Sequence, residues 1–310
     1  MQTIIQPIMF KNRTLENAAD LYLPADFDEH KKYPAIVTVH PIGSCKEQTS
    51  GNVYGKALVA AGFVVLAIDA AYQGASSGAP RRIEDPYQRV EDIRAAVDYL
   101  VTLPYVDEQR IGALGICGGG GYVLNATMTE RRIRAVVSIT GVNFGRLMRA
   151  GFTGQPIIAA LETFATLRTA EARGADLVVQ DVLPPSVEAA RQAGITDIDI
   201  LEATDYYRTA RGQQPHGSVN FLFSHLSAAA TWDAFNYAEV LLTQPMMVVI
   251  GDQPGAFGAY RDGHEIMERA RAEVKELVEI KGVSHYDLYD RPQAVEPALA
   301  KVIPFFQMHL

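Results

Sequence analysis

Four short apolar runs set the frame of this chain. They span residues 33–40, 62–69, 111–116 and 133–139 and are rich in Val, Ile, Leu and Ala. Runs of this length with no polar face read as strands buried on both sides. Helical spacing lies between them, at 51–61, 85–100 and 118–128. The clearest case is 85–100, where Val90, Ile93, Ala96, Val97 and Leu100 share one face. Its charges, Arg89, Glu91, Asp92 and Arg94, are expected mostly off that face. Strands that alternate with helices run parallel, because parallel neighbours need a crossover, and the helices then cover both faces of the sheet. Residues 1–23 read as an antiparallel lead-in hairpin that turns near Lys11-Asn12-Arg13.

The alternation stops after residue 141. From 142 to about 244 the pattern is mostly helical and irregular, and then a strand (245–251), a helix (260–272), a strand (274–280) and a helix (294–309) follow. We therefore expect an α/β core made of 1–141 and 245–310. Its sheet is mostly parallel and twisted, with helices on both faces. Residues 142–244 form a helical lid inserted between two strands, longer than an ordinary loop.

Composition excludes several classes. With 28 basic and 36 acidic residues the net charge is −8, so no cationic excess exists to neutralise nucleic-acid phosphates. A hydrophobic content of 48% is enough to bury a core, which excludes a disordered chain. Two cysteines, Cys45 and Cys117, cannot make a disulfide framework. The longest apolar run, 57–68, falls short of the ~20 residues that cross a bilayer, and residues 1–13 lack the pattern of a signal peptide. The expectation is a soluble cytoplasmic protein that takes a small molecule, with no cofactor, metal, nucleic-acid or membrane partner. A homodimer stays open.

The chemistry is concentrated at Gly115-Ile116-Cys117-Gly118-Gly119, which joins a strand to a helix. In a nucleophile elbow the central residue sits on a strained strand-to-helix turn, and the flanking glycines allow close approach. Cys117 occupies that position. A helix N-terminus there would favour its thiolate. In such a sheet the order along the chain is nucleophile, acid, base. His285, in the loop after the strand at 274–280, is the one histidine placed as base. His216 and His225 fall in the insertion, His264 in a helix, and His30 and His309 near solvent. Asp252 follows the strand at 245–251 and is the candidate acid, with Asp262 as runner-up. The loop after His40 should carry an oxyanion hole, with the N–H groups of Ile42 and Gly118 as donors; Pro41 has none to give. His40 reads as a structural hydrogen-bonding residue. Tyr72, Trp232 and Phe235 are candidate acyl-binding residues.

These stretches resemble a known family. Residues 40–49, Asp69 to Gly74, Arg89 to Arg94, Gly115 to Tyr122, Asp205 to Ala210 and Ser284 to Asp290 are similar to α/β-hydrolases. Within them they resemble the dienelactone-hydrolase-related group of bacterial hydrolases and fungal polyketide transferases. Ile42 and Ser44 stand where relatives tend to have glycines. The resemblance implies a Cys-His-Asp triad acting on an ester, thioester or lactone through an acyl-enzyme. Acyl transfer by the same residues, and a catalytically silent binding protein of the same fold, are the competing readings.

Overall fold

The computed structural model describes residues 3–217 and 219–310. The lead-in hairpin is β1 (Ile4–Asn12) and β2 (Leu15–Leu23), turning through Arg13 in the left-handed region at φ 55°. There follow β3 (Tyr33–Val39), β4 (Val64–Ile68), β5 (Val106–Ile116) and β6 (Ile133–Ile139). The insertion holds β7 (Val179–Asp181) and β8 (Asn220–Leu222), and the core resumes with β9 (Met246–Gly251) and β10 (Lys275–Ile280). The eight core strands form one sheet in the order β1-β2-β4-β3-β5-β6-β9-β10. β2 pairs antiparallel with β1 and β4, and every other pair is parallel. β5 thus lies near the middle, and its carboxyl end is where a crevice for ligands opens in such sheets.

The helices explain their own ends. Asp85 caps the helix Pro86–Val101 by accepting from Tyr87 N and Gln88 N, and proline fills the first helical position. Two of its charges are not on the solvent side as expected. Arg89 and Asp92 are 3% and 1% exposed. Arg89 donates to the His40 carbonyl at 2.6 Å, and Asp92 accepts from Asn12 Nδ2 at 2.6 Å and Ala71 N at 2.9 Å. The loops after β3 and β4 and the end of the hairpin cover this side of the helix and supply partners, without which a buried charge would be very costly. Residues 51–61 also differ from a single helix. A π-helical turn, Thr49–Gly55, runs into the short α-helix Lys56–Ala60. Thr49 and Tyr54 of that turn donate to the carbonyls of Tyr289 and Leu288, at 2.7 and 2.8 Å.

Between β6 and β9 the chain makes several helices, the longest being Ile157–Ala172 and Ile198–Arg208. It also makes the antiparallel ribbon β7–β8, whose three-residue strands are too short to leave an alternation in the sequence. Among the described residues no helix is long and apolar enough to cross a membrane. The insertion is tied to the core by charge. Arg146, in the helix Phe144–Arg149, pairs with Asp262 at 2.6 Å, and Asp262 also accepts from Asn143 N at 2.7 Å. Asp262 is fully buried in the helix Ala259–Arg269. Removing one partner of such a pair strands the other charge. Asp262→Ala should therefore lower unfolding free energy by about 3 kcal/mol or more. Urea denaturation checks this, and an unchanged midpoint would show that the pair does not hold the insertion.

Candidate active site

The sharpest backbone feature of the core is at Cys117. Its φ of 54° and ψ of −124° lie in a region that residues other than glycine rarely adopt. The strain is held from both sides by β6, since Cys117 N donates to Ile139 O at 3.0 Å and Val142 N donates to Cys117 O at 2.8 Å. Close packing explains the glycines. A Cβ at Gly115 would stand 2.1 Å from the Gly119 carbonyl oxygen, and one at Gly119 would stand 2.4 Å from that of Val39. The turn lifts the Cys117 side chain off the sheet and starts the helix Gly118–Thr129.

Two backbone amides face the sulfur, those of Gly118 and Ile42. Ile42 reaches this place because its loop is pinned from below. Arg89 holds the His40 carbonyl, and Gly43 N donates to Glu84 at 3.3 Å. Glu84 in turn accepts from the Tyr122 hydroxyl at 2.7 Å and lies 3.6 Å from Arg89 Nε. The Ile42 side chain packs where a Cβ of residue 118 would be, so Gly118 makes room for it. His40 is part of the same support. Its Nε2 accepts from Ala70 N at 3.1 Å and its Nδ1 contacts the Pro41 carbonyl at 2.7 Å. Burial, and then the Arg89 charge, push its pKa well below the usual histidine range.

His285 arrives in the loop after β10 and is 4% exposed. Its Nδ1 meets the Thr140 hydroxyl at 2.9 Å and its Nε2 meets the Tyr289 hydroxyl at 3.3 Å. That Tyr289 hydroxyl also lies beside the Cys117 thiol, near enough to pull its pKa down, with Tyr207 and Tyr286 as further neighbours. Burial alone pushes the His285 pKa down to about 3. Burial also raises the Cys117 thiol to about 11, against the opposing pull of Tyr289 and the two amides. The helix N-terminus does not overcome this desolvation, so the resting pair is a neutral thiol and a neutral imidazole.

Neither expected acid touches the imidazole. Asp252 directly follows β9, and its carboxylate turns to the base loop's backbone, accepting from Gly282 N at 2.6 Å. Asp262 is occupied by Arg146 and Asn143. The place of the acid at Nδ1 is taken by Thr140, itself in the left-handed region at φ 43° just past β6. Nothing in the sequence marked Thr140. Tyr289 was legible in principle, since it stands four residues after His285, one helical turn away.

Cys117 opens into a cavity of about 160 Å³. Leu147, Phe152, Leu183 and Ile200 from the insertion line it, opposite Phe257 and Tyr286 of the core. Tyr72, Trp232 and Phe235 do not. Tyr72 lines a separate polar hollow with Gly43, Arg81 and Arg82. Trp232 packs on Tyr122 at 5.2 Å between centroids and borders an open groove of about 740 Å³ that lacks Cys117. Phe235 is 1% exposed and belongs to the core. Trp232 and Phe235 are buried because the insertion's aromatics are needed to bury its own helices. Among the described residues no three His, Cys, Asp or Glu side chains could share a metal ion.

Comparison with known proteins fits this geometry. Residues 37–298 match the model of the alpha/beta hydrolase family. An uncharacterized Escherichia coli protein, YcjY, is 38% identical over 300 residues, covering 96% of this chain and 95% of its own length. The hypothetical protein PA2218 of Pseudomonas aeruginosa is 34% identical over 312 residues, covering 98% of this chain and 80% of its own length. Its crystal structure superposes with a TM-score of 0.89 over 99% of this chain and 94% of that one, at 32% identity. The Penicillium α/β hydrolase GrgF has the same fold, with a TM-score of 0.77 at 19% identity over 99% of each chain. As a sequence, this polyketide transferase is 33% identical over 78 residues, covering 25% of this chain and 26% of its own.

A carboxyl beside the site gives a pH test. Asp199, in the helix Ile198–Arg208, is 1% exposed. Its Oδ2 accepts from Phe257 N at 2.8 Å, while its Oδ1 is buried without a partner. Burial first, with Asp197 and Glu202 adding to it, pushes its pKa up to about 7. The folded state keeps this proton to near neutrality, whereas the unfolded chain releases it near pH ~4. The favourable contribution is therefore full below about pH 4 and is lost as pH rises towards about 7. Asp199→Asn does not titrate, so its stability relative to the parent should climb across this window, by up to about 1.4 kcal/mol per pH unit. Urea midpoints at several pH values decide it, and a pH-independent difference would refute the assignment.

Proposed function

The chain belongs to the α/β-hydrolase family, and we propose that it cleaves or transfers a short acyl group through a thioester on Cys117. The observation that carries this reading is the pair of amides, Gly118 and Ile42, facing the sulfur at the strained turn. Donors fixed there would bind the oxyanion of a tetrahedral intermediate without reorganising, and one such donor is typically worth about 10²–10³ in rate. Cys117 attacks the carbonyl, His285 ends with the thiol proton, and the oxyanion rests on the two amides. As the carbonyl re-forms, the leaving group departs with that proton and the acyl group remains on sulfur.

The substrate would be an activated acyl compound. A phenolate or thiolate leaves about as well as the cysteine and an alkoxide can leave once it is protonated, whereas an amine leaves less readily, so an amide would revert. Size points the same way. A dry apolar cavity of about 150 Å³ accommodates a benzene ring, and the cavity here is about 160 Å³. It suits acyl groups of roughly six carbons. No charged side chain lines it, so few groups could hold a hydrolytic water. That favours passing the acyl group to an alcohol or amine, in keeping with the likeness to a polyketide transferase.

A series of p-nitrophenyl esters tests the reading. Acetate, butyrate and hexanoate should turn over faster than laurate, and an added alcohol should divert acyl groups into a new ester. Cys117→Ala should reduce kcat/KM by about 10³-fold or more. Iodoacetamide should modify Cys117 before Cys45, with matching loss of activity. Cys45 is fully buried and its thiol is pushed up further, by burial and then by Asp69 and Glu47. Full activity in Cys117→Ala would end the proposal.

A further inference from the structure

The nucleophile and the base are joined through a third residue. No hydrogen bond links Cys117 to His285 directly among the described residues; burial alone acts on the imidazole. The Tyr289 hydroxyl reaches both: it lies beside the thiol on the same cavity wall, and it is 3.3 Å from Nε2. Buried tyrosines usually find one polar partner to satisfy the hydroxyl. Here the hydrogen-bond partner is the base, and the thiol is a neighbour.

We propose that Tyr289 is a catalytic residue that relays the Cys117 proton to His285, through a hydroxyl held between sulfur and Nε2. This rests on the reading of Cys117 as the nucleophile. With Nδ1–H donating to Thr140, Nε2 accepts from the Tyr289 O–H, and the Tyr289 oxygen accepts from the Cys117 S–H. As sulfur bonds to the substrate carbonyl carbon, its proton moves to the Tyr289 oxygen and the Tyr289 proton moves to Nε2. The carbonyl π pair shifts onto oxygen, Tyr289 stays neutral, and His285 becomes imidazolium. Collapse of the oxyanion breaks the bond to the leaving group, and the same path returns a proton to it. Neither the thiolate nor the imidazolium has to exist before substrate arrives, which suits a site where both charged forms are disfavoured.

Tyr289 is held for this work. Its carbonyl accepts from Thr49, its ring packs at 4.4 Å on Tyr286 and 5.1 Å on Tyr206, and its exposure is 0%. The titratable groups that face Cys117 and Tyr289 are Tyr207 and Asp199 from the insertion, and His285 and Tyr286 from the base loop. None is a cation at neutral pH, so no fixed positive charge competes with the hydroxyl in stabilising the developing thiolate.

Tyr289→Phe keeps the ring and removes the bridge. Two readouts are needed. For hexanoate ester, kcat should fall by about 10²-fold, the lower range of general acid–base effects, with KM within about twofold. Alkylation of Cys117 by iodoacetamide, which needs no substrate, should slow at pH 7 and shift its profile to higher pH. Unchanged kcat together with an unchanged alkylation profile overturns the relay. If Cys117→Ala keeps ester activity, the nucleophile reading fails separately. The alkylation profile alone then decides the bridge: a shift supports it and none overturns it. Should Tyr289→Phe not fold, the parent supplies the test. Its acylation rate in mixtures of H₂O and D₂O should curve with deuterium fraction, as two protons in motion require, and a straight line overturns the relay.

Discussion

The turn at Cys117 is the constraint on which the rest of the site depends. A residue at φ 54° and ψ −124° costs of order 1–3 kcal/mol and persists only where its surroundings over-determine it. Here they do. β5 and β6 pair along their lengths below the turn, and the backbone of Cys117 is bonded on both sides to the segment around Ile139 and Val142. The helix that follows starts with four glycines and packs so closely that side chains there would collide with β3 and with the Gly141–Val142 segment. The same closeness brings the Ile42 amide to the sulfur. The position of the Cys117 sulfur, the position of the Ile42 amide and the strain at the turn are thus one geometric fact, set by how tightly a glycine-rich helix can approach the sheet.

Electrostatically, the centre is neutral. In a Ser-His-Asp arrangement a carboxylate orients the imidazole and stabilises its cation. Thr140 can orient the ring but brings no charge. The carboxylates closest in sequence to that role are committed elsewhere, Asp252 to the base-loop turn and Asp262 to Arg146. Burial then acts unopposed on His285, while Cys117 keeps its proton. A site of this kind spends little on stabilising charges at rest. On the proposed reading its stabilising groups, two amides and a hydroxyl, would become strong only when charge develops on sulfur and on the substrate oxygen in a water-poor cavity.

Much of this was legible before any coordinates. Continuous apolar strands made the parallel core readable, and the glycines about Cys117 located the elbow. Chain order pointed to His285, and the lack of an N–H on Pro41 pointed to Ile42 as donor. Other features were not legible, for physical reasons. Arg89 and Asp92 look like solvent charges on a helix because periodicity cannot see that other loops will cover them. Thr140 is an ordinary residue, brought to the His285 ring by where the strained end of β6 aims its hydroxyl. Asp252 sits at the expected place in the chain, yet a nearer amide, Gly282 N, captures it. The cavity wall is the least legible part. Trp232 and Phe235 have the chemistry of a pocket but are consumed in packing, Tyr72 lines a separate hollow, and the aliphatic Leu147, Leu183 and Ile200 form the wall instead.

The segment that lines the cavity also supports the loop that carries His285. In the helix Ile198–Arg208, Glu202 accepts from the Ser284 hydroxyl at 2.5 Å, next to His285. Asp197 and Asp199 accept from the amides of Ala256 and Phe257 in the loop after β9. Just beyond the helix, Arg211 donates to the Tyr286 carbonyl at 2.9 Å and pairs with Asp290 at 2.8 Å. These contacts bracket His285 and Tyr289 on both sides. Lifting this helix to admit a bulky acyl group would therefore strip the base loop of its supports at the same moment. On the proposed reading entry and assembly would be coupled, because the contacts that support the loop of His285 and Tyr289 come from the insertion. On that reading an acyl group small enough to leave it seated would meet a complete site, and size selection would follow from the positioning of His285 as much as from the volume of the cavity.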